Sequence, residues 1–421
     1  MSQLHKRFTD DQVKQMLERY LRNGIKRNHI QTMLGVGKTR FFQLLETYRS
    51  DPNRFSVQYQ RKISAHHKIA PEIEQNILKE LAIDQKAIQN KNIPLKRYNY
   101  SYVRDRLKTQ YQQSAALSTI IAKAKKSGFY LKRKIHKTHD REVLTHYTGE
   151  LIQHDSSHHL WAPASGEKWY LITSIDDFSL FMFYAALVKR EAVWAHILAL
   201  QTLVLKYGIP YSFYVDSHSI FRFVRGRDEL LYQHHLLTDE GNPQWRQVIR
   251  DLKIQPIYAL SPQAKGKVER PYGWIQDHLV RTCIRNNITR ISDGNRILAD
   301  EMHAYNYKRI HSTTEQVPFY RFQRALREKQ SLFGEFKLVP PFRSFKDIFC
   351  FRIERTADAY RKVSLDNVVF KVNGANPHDH IVLKIYPLNK LISEIRFWKN
   401  DQLIDIQKIK TGDLHMSTFD L

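Results

Sequence analysis

Apolar residues recur with a helical period in the first third of the chain and give way to short strand-like runs near Gly149. Thr9 and Asp10 precede the first helical stripe, and the turn at residues 35–37 separates a second helix from a third over residues 38–48. A short helix, a glycine turn and a basic helix form the helix-turn-helix pattern, whose last helix enters the major groove of DNA. The groove-facing residues would be Lys38, Arg40 and Gln43. The alternative is a helical hairpin with a solvated basic face.

A second set of helical stripes follows a polar connector and predicts helices over residues 72–83, 100–111 and 118–127. The last of these resembles a second recognition helix because it carries Lys123, Lys125 and Lys126. A basic stretch at residues 129–139 would lie along phosphate through Lys132, Arg133 and Lys134. The sequence therefore predicts two DNA-binding helix-turn-helix domains, at residues 1–55 and 68–140.

From Gly149 onward, apolar runs separated by turn residues predict three consecutive antiparallel strands and then helix, strand, helix, strand, helix. The strands fall at residues 151–155, 169–175, 181–187, 211–215 and 255–259. This order predicts a ribonuclease-H-like α/β core, a mixed five-stranded sheet with helices on both faces, over residues 145–330. Repeated β-like runs then predict a small C-terminal β-barrel over residues 345–421. Its alternative is a β appendage used for oligomer contacts.

The charge balance adds a partner to this architecture. The formal net charge is +25, and residues 1–145 hold 30 Lys and Arg against 12 Asp and Glu, a net of +18. Such a surface attracts a polyanion because each neutralised phosphate releases counterions. With only Cys283 and Cys350, the chain has neither a disulfide framework nor a cysteine zinc finger. It contains no secretory leader and no apolar run of about 18 residues, so we expect a cytoplasmic protein with no membrane partner.

Three acidic residues are the strongest candidates for chemistry. Asp155 and Asp216 each end an apolar run, and Glu269 lies in the helix that follows the last predicted strand. Carboxylates delivered to one point from two strand ends and a helix can hold two Mg²⁺ ions about 3.5–4 Å apart, as in-line phosphoryl transfer requires. Gly266 would share a helix face with Glu269 and let a phosphate backbone approach. That backbone would be neutralised by Lys265, Lys267 and Arg270.

Other polar residues near these acids have simpler interpretations. Asp176 and Asp177 sit at a turn between strands, where aspartate commonly caps backbone groups, so a structural role is favoured over metal binding. Asp239 and Glu240 fall in a loop beside Gly241. Four histidines flank the candidate acids and are interpreted as structural or DNA-contacting: His154, His158, His159 and His218.

These motifs resemble a known family. Pro262-x-x-x-Gly266-x-x-Glu269 is similar to the signature of DDE transposases of the retroviral-integrase superfamily, and Tyr305-Asn306-x-x-Arg309-x-His311 resembles its downstream segment. The sequence around Asp155 and Asp216 is most similar to bacterial ISNCY-type insertion-sequence transposases. The resemblance implies Mg²⁺-dependent cleavage of transposon ends and transfer of a 3′-hydroxyl into target DNA. It also implies two ions per site, Mn²⁺ as a substitute, a homo-oligomer on double-stranded DNA, and a place in the bacterial nucleoid.

The match has departures. Asp155 and Asp216 are 61 positions apart, the usual first spacing, but the 53 positions from Asp216 to Glu269 exceed that of the best-known branch. The excess falls in an insert at residues 223–243. Leu180 replaces a frequent Arg, and the histidine and cysteine zinc domain of retroviral integrases cannot be built. A domesticated DNA-binding regulator and a nuclease without strand transfer stay open as alternatives. The three acids favour the enzyme, because a binding protein has no use for mutually repelling carboxylates.

Overall fold

The computed structural model describes residues 4–58, 69–132, 145–215, 244–258, 266–311, 314–366 and 368–414, with the backbone alone for residues 266–272. The chain divides into two compact units, Met1–Ala70 and Pro71–Leu421. The three acids all belong to the second unit.

The first unit is a three-helix domain comprising α1 (Asp10–Leu21), α2 (Arg27–Leu34) and α3 (Lys38–Ser50). Thr9 caps α1 in a reciprocal pair with Gln12, which satisfies two otherwise unpaired amides. Gly35 follows α2 at φ 65°, a left-handed conformation that glycine adopts without steric cost. The helices match those predicted, and they close over a core that includes Val13, Leu17, Ile30, Leu34, Phe41 and Leu44. Their DNA-binding role stays a prediction.

The second unit begins with three helices, α4 (Pro71–Gln89), α5 (Tyr100–Gln110) and α6 (Leu117–Lys126). Asn99 caps α5 by accepting a 3.0 Å hydrogen bond from the amide of Tyr102. Helix α4 runs beyond the predicted end at residue 83. Asp84 and Ala87 are buried on the additional turns, and a buried aspartate is invisible to an apolar pattern.

A mixed five-stranded sheet follows, with the strands β1 (Leu151–His159), β2 (Trp169–Asp176), β3 (Met182–Val188), β4 (Ser212–Val215) and β5 (Gln255–Tyr258). The spatial order is β3-β2-β1-β4-β5. β1, β2 and β3 are antiparallel neighbours, whereas β4 runs parallel to β1 and β5 runs parallel to β4. The predicted five-stranded sheet and the ribonuclease-H-like order of elements are confirmed. The predicted end of β1 at Asp155 is wrong: the strand continues through polar residues to His159, so Asp155 lies inside the strand and not at its end.

Helices cover both faces of this sheet: α7 (Val193–Tyr207), α8 (Gln244–Asp251), α9 (Gly266–Arg285) and α10 (Ile291–Tyr307), with α11 (Pro318–Arg327) following. On one face Ile152 and Phe213 pack with Trp194 of α7 and Val248 of α8. On the other face Leu171 and Ile175 pack with residues of α9 and α10: Ile275, Leu279, Cys283, Leu298 and Tyr305. Strand alternation therefore decides which helices each sheet residue meets.

Two asparagines of α10 pair with the backbone of the edge strand β3. Asn306 accepts a 2.9 Å hydrogen bond from the amide of Met182 and donates one of 2.9 Å to its carbonyl. Asn295 makes the same two-way contact with Leu187, at 2.8 and 2.9 Å. A side-chain amide carries one acceptor and one donor group, so each asparagine satisfies a whole peptide edge.

The C-terminal region forms the strands β6 (Phe351–Thr356), β7 (Lys362–Leu365), β8 (Val368–Lys371), β9 (His380–Pro387), β10 (Ile392–Lys399) and β11 (Gln402–Lys410). They build an open sheet in the order β11-β10-β9-β6 and a separate β7-β8 pair. The predicted small barrel is therefore wrong: no pairing in the described residues joins β6 to β11. The sheet instead packs on α7, where Trp194 lies 5.7 Å from Phe351 between ring centroids.

Candidate active site

Asp155 lies on β1, the central strand of the sheet, in register with Thr173 of β2. Thr173 is flanked on its own face by Leu171 and Ile175, which pack against α9 and α10. Because side chains alternate along a strand, Asp155 faces the same side of the sheet as these residues. Its side chain is only partly buried, in a strand whose first four residues are fully buried. A half-exposed carboxylate in the middle of a sheet is typical of a site and not of a core.

The other two acids fall at the limits of the described chain. β4 pairs in parallel with β1, with Gln153 opposite Tyr214, and its last residue is Val215, directly before Asp216 in the sequence. Asp216 and the insert at residues 223–243 lie outside the described residues. Glu269 belongs to α9, the helix that packs on the Asp155 face, but its side chain is outside the described part. The assignment of all three as catalytic metal ligands stays a prediction.

Asp176 has the structural role favoured from the sequence. Its carboxylate is fully buried and accepts hydrogen bonds from the Thr148 hydroxyl at 2.8 Å, the Gly149 amide at 2.9 Å and the Ser179 amide at 2.9 Å. Burial raises the pKa of the Asp176 carboxyl. The neighbouring Asp177 is also buried and accepts a 2.8 Å hydrogen bond from Thr145. Both acids therefore fasten the β2–β3 turn to the segment that enters β1.

Asp176→Ala should lower the free energy of unfolding by about 3 kcal/mol or more, because several buried donors would lose their acceptor together. Chemical denaturation of the full chain would measure this change. The matched control is Asp358→Ala, which removes an aspartate that accepts from the amides of Tyr360 and Lys362 in an exposed turn. An Asp176→Ala protein as stable as this control would contradict the structural role.

The segment from Tyr305 to His311, singled out by its resemblance to a family motif, connects α10 to its neighbours. Tyr305 is fully buried, and its desolvation raises the pKa of the phenol. Arg309 stacks on α9, with its guanidinium carbon 4.7 Å from the centre of the Trp274 ring. With Asn306 bound to β3, this short segment ties α9 and α10 to the edge of the sheet.

A buried charge cluster that the sequence analysis missed links α4 to α9. Asp84 pairs with Arg281 and, at 2.7 Å, with Arg285, while Glu80 accepts from Arg285 at 2.6 Å. All four side chains are at most 3% exposed. Although burial opposes it, pairing with Arg285 lowers the pKa of Glu80. The available signal was an acidic pair and a basic pair, each spaced by one helical turn.

The predicted DNA-contacting residues differ in their surroundings. On α3, Lys38, Arg40 and Gln43 are exposed, and Arg40 donates a 3.3 Å hydrogen bond to the Gln43 side chain. On α6, Lys123 is engaged by Glu74 at 2.6 Å, whereas Lys126 is exposed. Lys125 contacts the ring of Tyr130 at 4.8 Å, and Lys132 is exposed. Arg133, Lys134, Lys265 and the side chains of Lys267 and Arg270 lie outside the described residues.

Two glycines of α9 lie near Glu269, on the helix face across which a phosphate backbone was predicted to approach. Gly266 lies in α9, which is described from this residue onward. Among the described residues, nothing lies within 4 Å of a Cβ atom built at Gly273. On the same helix, Ile275, Leu279 and Cys283 are buried.

The flanking histidines lie in different environments. His154 is buried on the sheet face opposite Asp155 and contacts His196 of α7, a residue that the sequence did not indicate. His158 stacks on Tyr170 with ring centroids 4.1 Å apart, and His159 contacts Trp161 edge to face. His218 falls outside the described residues. Among the three flanking histidines that the structure describes, His154 alone combines full burial with a position next to a candidate acid.

Within the described ranges, no group of three or more histidine, cysteine, aspartate or glutamate side chains is arranged to hold a metal ion. Two of the three predicted ligands have no described side chain there. None of the helices in these ranges has the length and apolar character needed to cross a bilayer.

Comparison with curated proteins finds two transposases. The chain is 31% identical over 181 residues to the putative transposase y4bF of Sinorhizobium fredii, covering 43% of this chain and 38% of that protein. It is 27% identical over 174 residues to the transposase for insertion sequence IS1202 of Streptococcus pneumoniae, covering 41% of this chain and 35% of that protein. The chain thus spans under two fifths of the length of either relative. No protein-family model matches. The resemblance to transposases drawn from the sequence motifs is confirmed.

Comparison with solved structures finds retroviral integrases at low similarity. The match to the HTLV-2 integrase catalytic core domain in complex with magnesium covers 41% of this chain and 95% of the integrase chain. The identity is 16% and the TM-score is 0.29. The match to a chain of the simian T-cell lymphotropic virus intasome in complex with the PP2A regulatory subunit B56 gamma covers 72% of this chain and 95% of the intasome chain. The identity is 12% and the TM-score is 0.34.

Proposed function

We propose that this chain is a transposase that binds insertion-sequence ends and catalyses metal-dependent DNA cleavage and 3′-hydroxyl strand transfer into target DNA. The observation that carries the proposal is the position of Asp155. It lies on the central strand of a ribonuclease-H-like sheet, beside the strand that precedes Asp216, and faces the helix that contains Glu269. Similarity to two curated transposases supports the same function.

The donor chemistry fits a hard divalent cation. Asp155, Asp216 and Glu269 would hold Mg²⁺, with Mn²⁺ as a substitute, because carboxylate oxygens are the ligands these ions take. Asp155 meets the first requirement of a ligand, since its carboxylate is neither fully buried nor on the outer surface. Two bound ions would stabilise the attacking and leaving oxygens of an in-line displacement.

The protein's own residues supply the framework for that chemistry. β1 orients Asp155 toward α9, and the burial of Ile275 and Leu279 fixes α9 on the same face. Exposed basic residues of α3 and α6 would hold double-stranded DNA through its phosphates, and a homo-oligomer would bring two DNA ends together. A nucleoid location follows from this partner.

The test of this function is a joining assay with the full chain. Labelled DNA ends from the sequence flanking the gene should be cleaved and joined to plasmid DNA in Mg²⁺, and not in EDTA. Cleavage without joining would assign a nuclease. Sequence-specific binding with neither reaction would assign a DNA-binding regulator.

The basic start of α3 makes a separate prediction about binding. Arg40→Ala should weaken binding to end DNA by about 1–3 kcal/mol and relax its sequence preference, because the first turns of a recognition helix contact base edges. Arg49→Ala removes the same charge from the far end of the same helix and should weaken binding to end and unrelated DNA alike. Gel-shift titrations at fixed salt measure both. Equal loss of preference in the two variants would contradict this orientation of α3.

A further inference from the structure

A group of polar side chains lies on the sheet face opposite Asp155, in a layer otherwise built from apolar residues. His154 and Ser156, the two sequence neighbours of Asp155, both point into this layer because side chains alternate along β1. There they meet α7 and the residue that precedes it by two positions, Glu191. The group therefore brackets the backbone of Asp155 on both sides.

The contacts form a series across β1, β2 and α7. His154 Nδ1 lies 2.9 Å from the Ser174 hydroxyl, and His154 Nε2 lies 2.8 Å from His196 Nδ1. His196 Nε2 lies 3.2 Å from Oε1 of Glu191, and the Ser156 hydroxyl donates to the same oxygen. Both imidazoles are buried, and the Glu191 side chain is 15% exposed.

One order of protons suits these contacts with a single N–H on each ring. The Ser174 hydroxyl donates to His154, His154 donates to His196, and the remaining N–H of His196 faces the Glu191 carboxylate. Every step of this series points toward Glu191. The hydrogen bonds that join Ser174, His154 and His196 hold these side chains in one arrangement, because reversing one imidazole leaves two donors or two acceptors facing each other. The contact of His196 with Glu191 is a close polar contact of 3.2 Å, not a hydrogen bond.

This group is costly for packing alone. The rings of Phe213 and Trp245 contact His154, so apolar side chains of the same volume would fill the space without desolvating polar groups. What the polar group adds is register. A slip of β1 by one residue would turn Asp155 into the α7 layer and His154 toward α9, and the contacts to Ser174 and Glu191 exist in one register only.

We propose that His196 and Glu191 are positioning residues, which hold β1 so that the Asp155 carboxylate is presented for divalent cations on the α9 face. The inference rests on the proposed function for the identity of Asp155 as a metal ligand. Neither residue touches the reacting atoms. They act through the two strand residues on either side of Asp155.

The test compares four variants of the full chain. His196→Phe and Glu191→Leu remove the polar contacts, and Glu191→Gln keeps an oxygen that can accept from Ser156. Ile197→Ala disturbs the adjacent apolar core of α7 and leaves every polar side chain of the group in place. Mn²⁺ binding is measured by electron paramagnetic resonance of the free ion, and thermal unfolding confirms that each variant folds. We expect His196→Phe and Glu191→Leu to weaken Mn²⁺ binding about tenfold, the lower end of the effect of outer contacts on metal affinity. Glu191→Gln should bind nearly as the unmodified protein does, and Ile197→Ala should lose stability alone.

Wild-type Mn²⁺ affinity in folded His196→Phe and Glu191→Leu would overturn the proposal, as would equal weakening by Ile197→Ala. If His196→Phe does not fold, Glu191→Leu decides, because Glu191 lies before α7 and is partly exposed. Asp155→Asn separates the two hypotheses. If Asp155→Asn loses Mn²⁺ binding and the unmodified protein does not join DNA, the proposed function is overturned and the positioning role stands. Mn²⁺ binding that survives Asp155→Asn would overturn the positioning role.

Discussion

Asp155→Asn is expected to lower the rate of DNA cleavage and joining by about a thousandfold, equivalent to ~4 kcal/mol of transition-state stabilisation. Asparagine keeps the size of the side chain and removes the charge that would hold the cations. Asp155 is half-buried on a strand held by pairing on both edges, so the variant should fold. Affinity for end DNA should change little, since under the proposed function the basic helices would supply most of the binding.

The measurement is the joining assay in Mg²⁺, with binding followed in parallel by gel shift. The control is Glu167→Gln, which removes an equal charge from a surface glutamate whose partner, Lys189, is 57% exposed. It should join DNA at the normal rate. Full activity of Asp155→Asn would remove this residue from the site and with it the main support for the proposed function.

Asp84→Ala is expected to lower the free energy of unfolding by about 3–5 kcal/mol, because Arg281 and Arg285 would be left buried with a missing partner. The cluster joins α4 to α9, so this loss should also weaken the attachment of α4 to α9. Denaturant unfolding would give the free energy. Limited proteolysis would show whether the chain between α4 and α9 is cleaved faster in this variant than in the unmodified protein.

Glu335→Ala is the matched control for this cluster. Its ion pair with Lys337 is 2.7 Å long, but both side chains are about 70% exposed, and exposed pairs contribute about 0–1 kcal/mol. The comparison isolates burial from the mere presence of an ion pair. Similar costs for the two substitutions would show that the α4–α9 cluster is open to solvent in solution.

The sequence predicted elements well where one periodicity was sufficient. β1, β2 and β3 each read as an apolar run, and the order of strands and helices that follows them identified the mixed sheet. Thr9 and Gly35 marked helix ends because capping and left-handed turns depend on the identity of single residues. Asp176 was assigned a structural role from its place at a turn, and its hydrogen bonds agree.

Features that depend on contacts between distant residues were not predicted. The predicted end of α4 was too early because Asp84 interrupts its apolar stripe. Asp84 is buried because it pairs with Arg281 and Arg285, some 200 positions later in the sequence. His196 has no local pattern that separates it from a surface histidine. Closure of the C-terminal sheet into a barrel was wrong for a related reason: alternation identifies strands, whereas closure requires β6 and β11 to pair, and the sequence carries no sign of that pairing.

The side-chain amides of Asn295 and Asn306 also affect the tendency of the protein to aggregate. A sheet edge with unpaired backbone groups can accept a strand from another chain, and this pairing starts aggregation. On β3 the peptide groups of Met182 and Leu187, near its two ends, are already bound by α10. An incoming strand would have to displace both asparagines. The helix thus blocks edge-to-edge growth of the sheet.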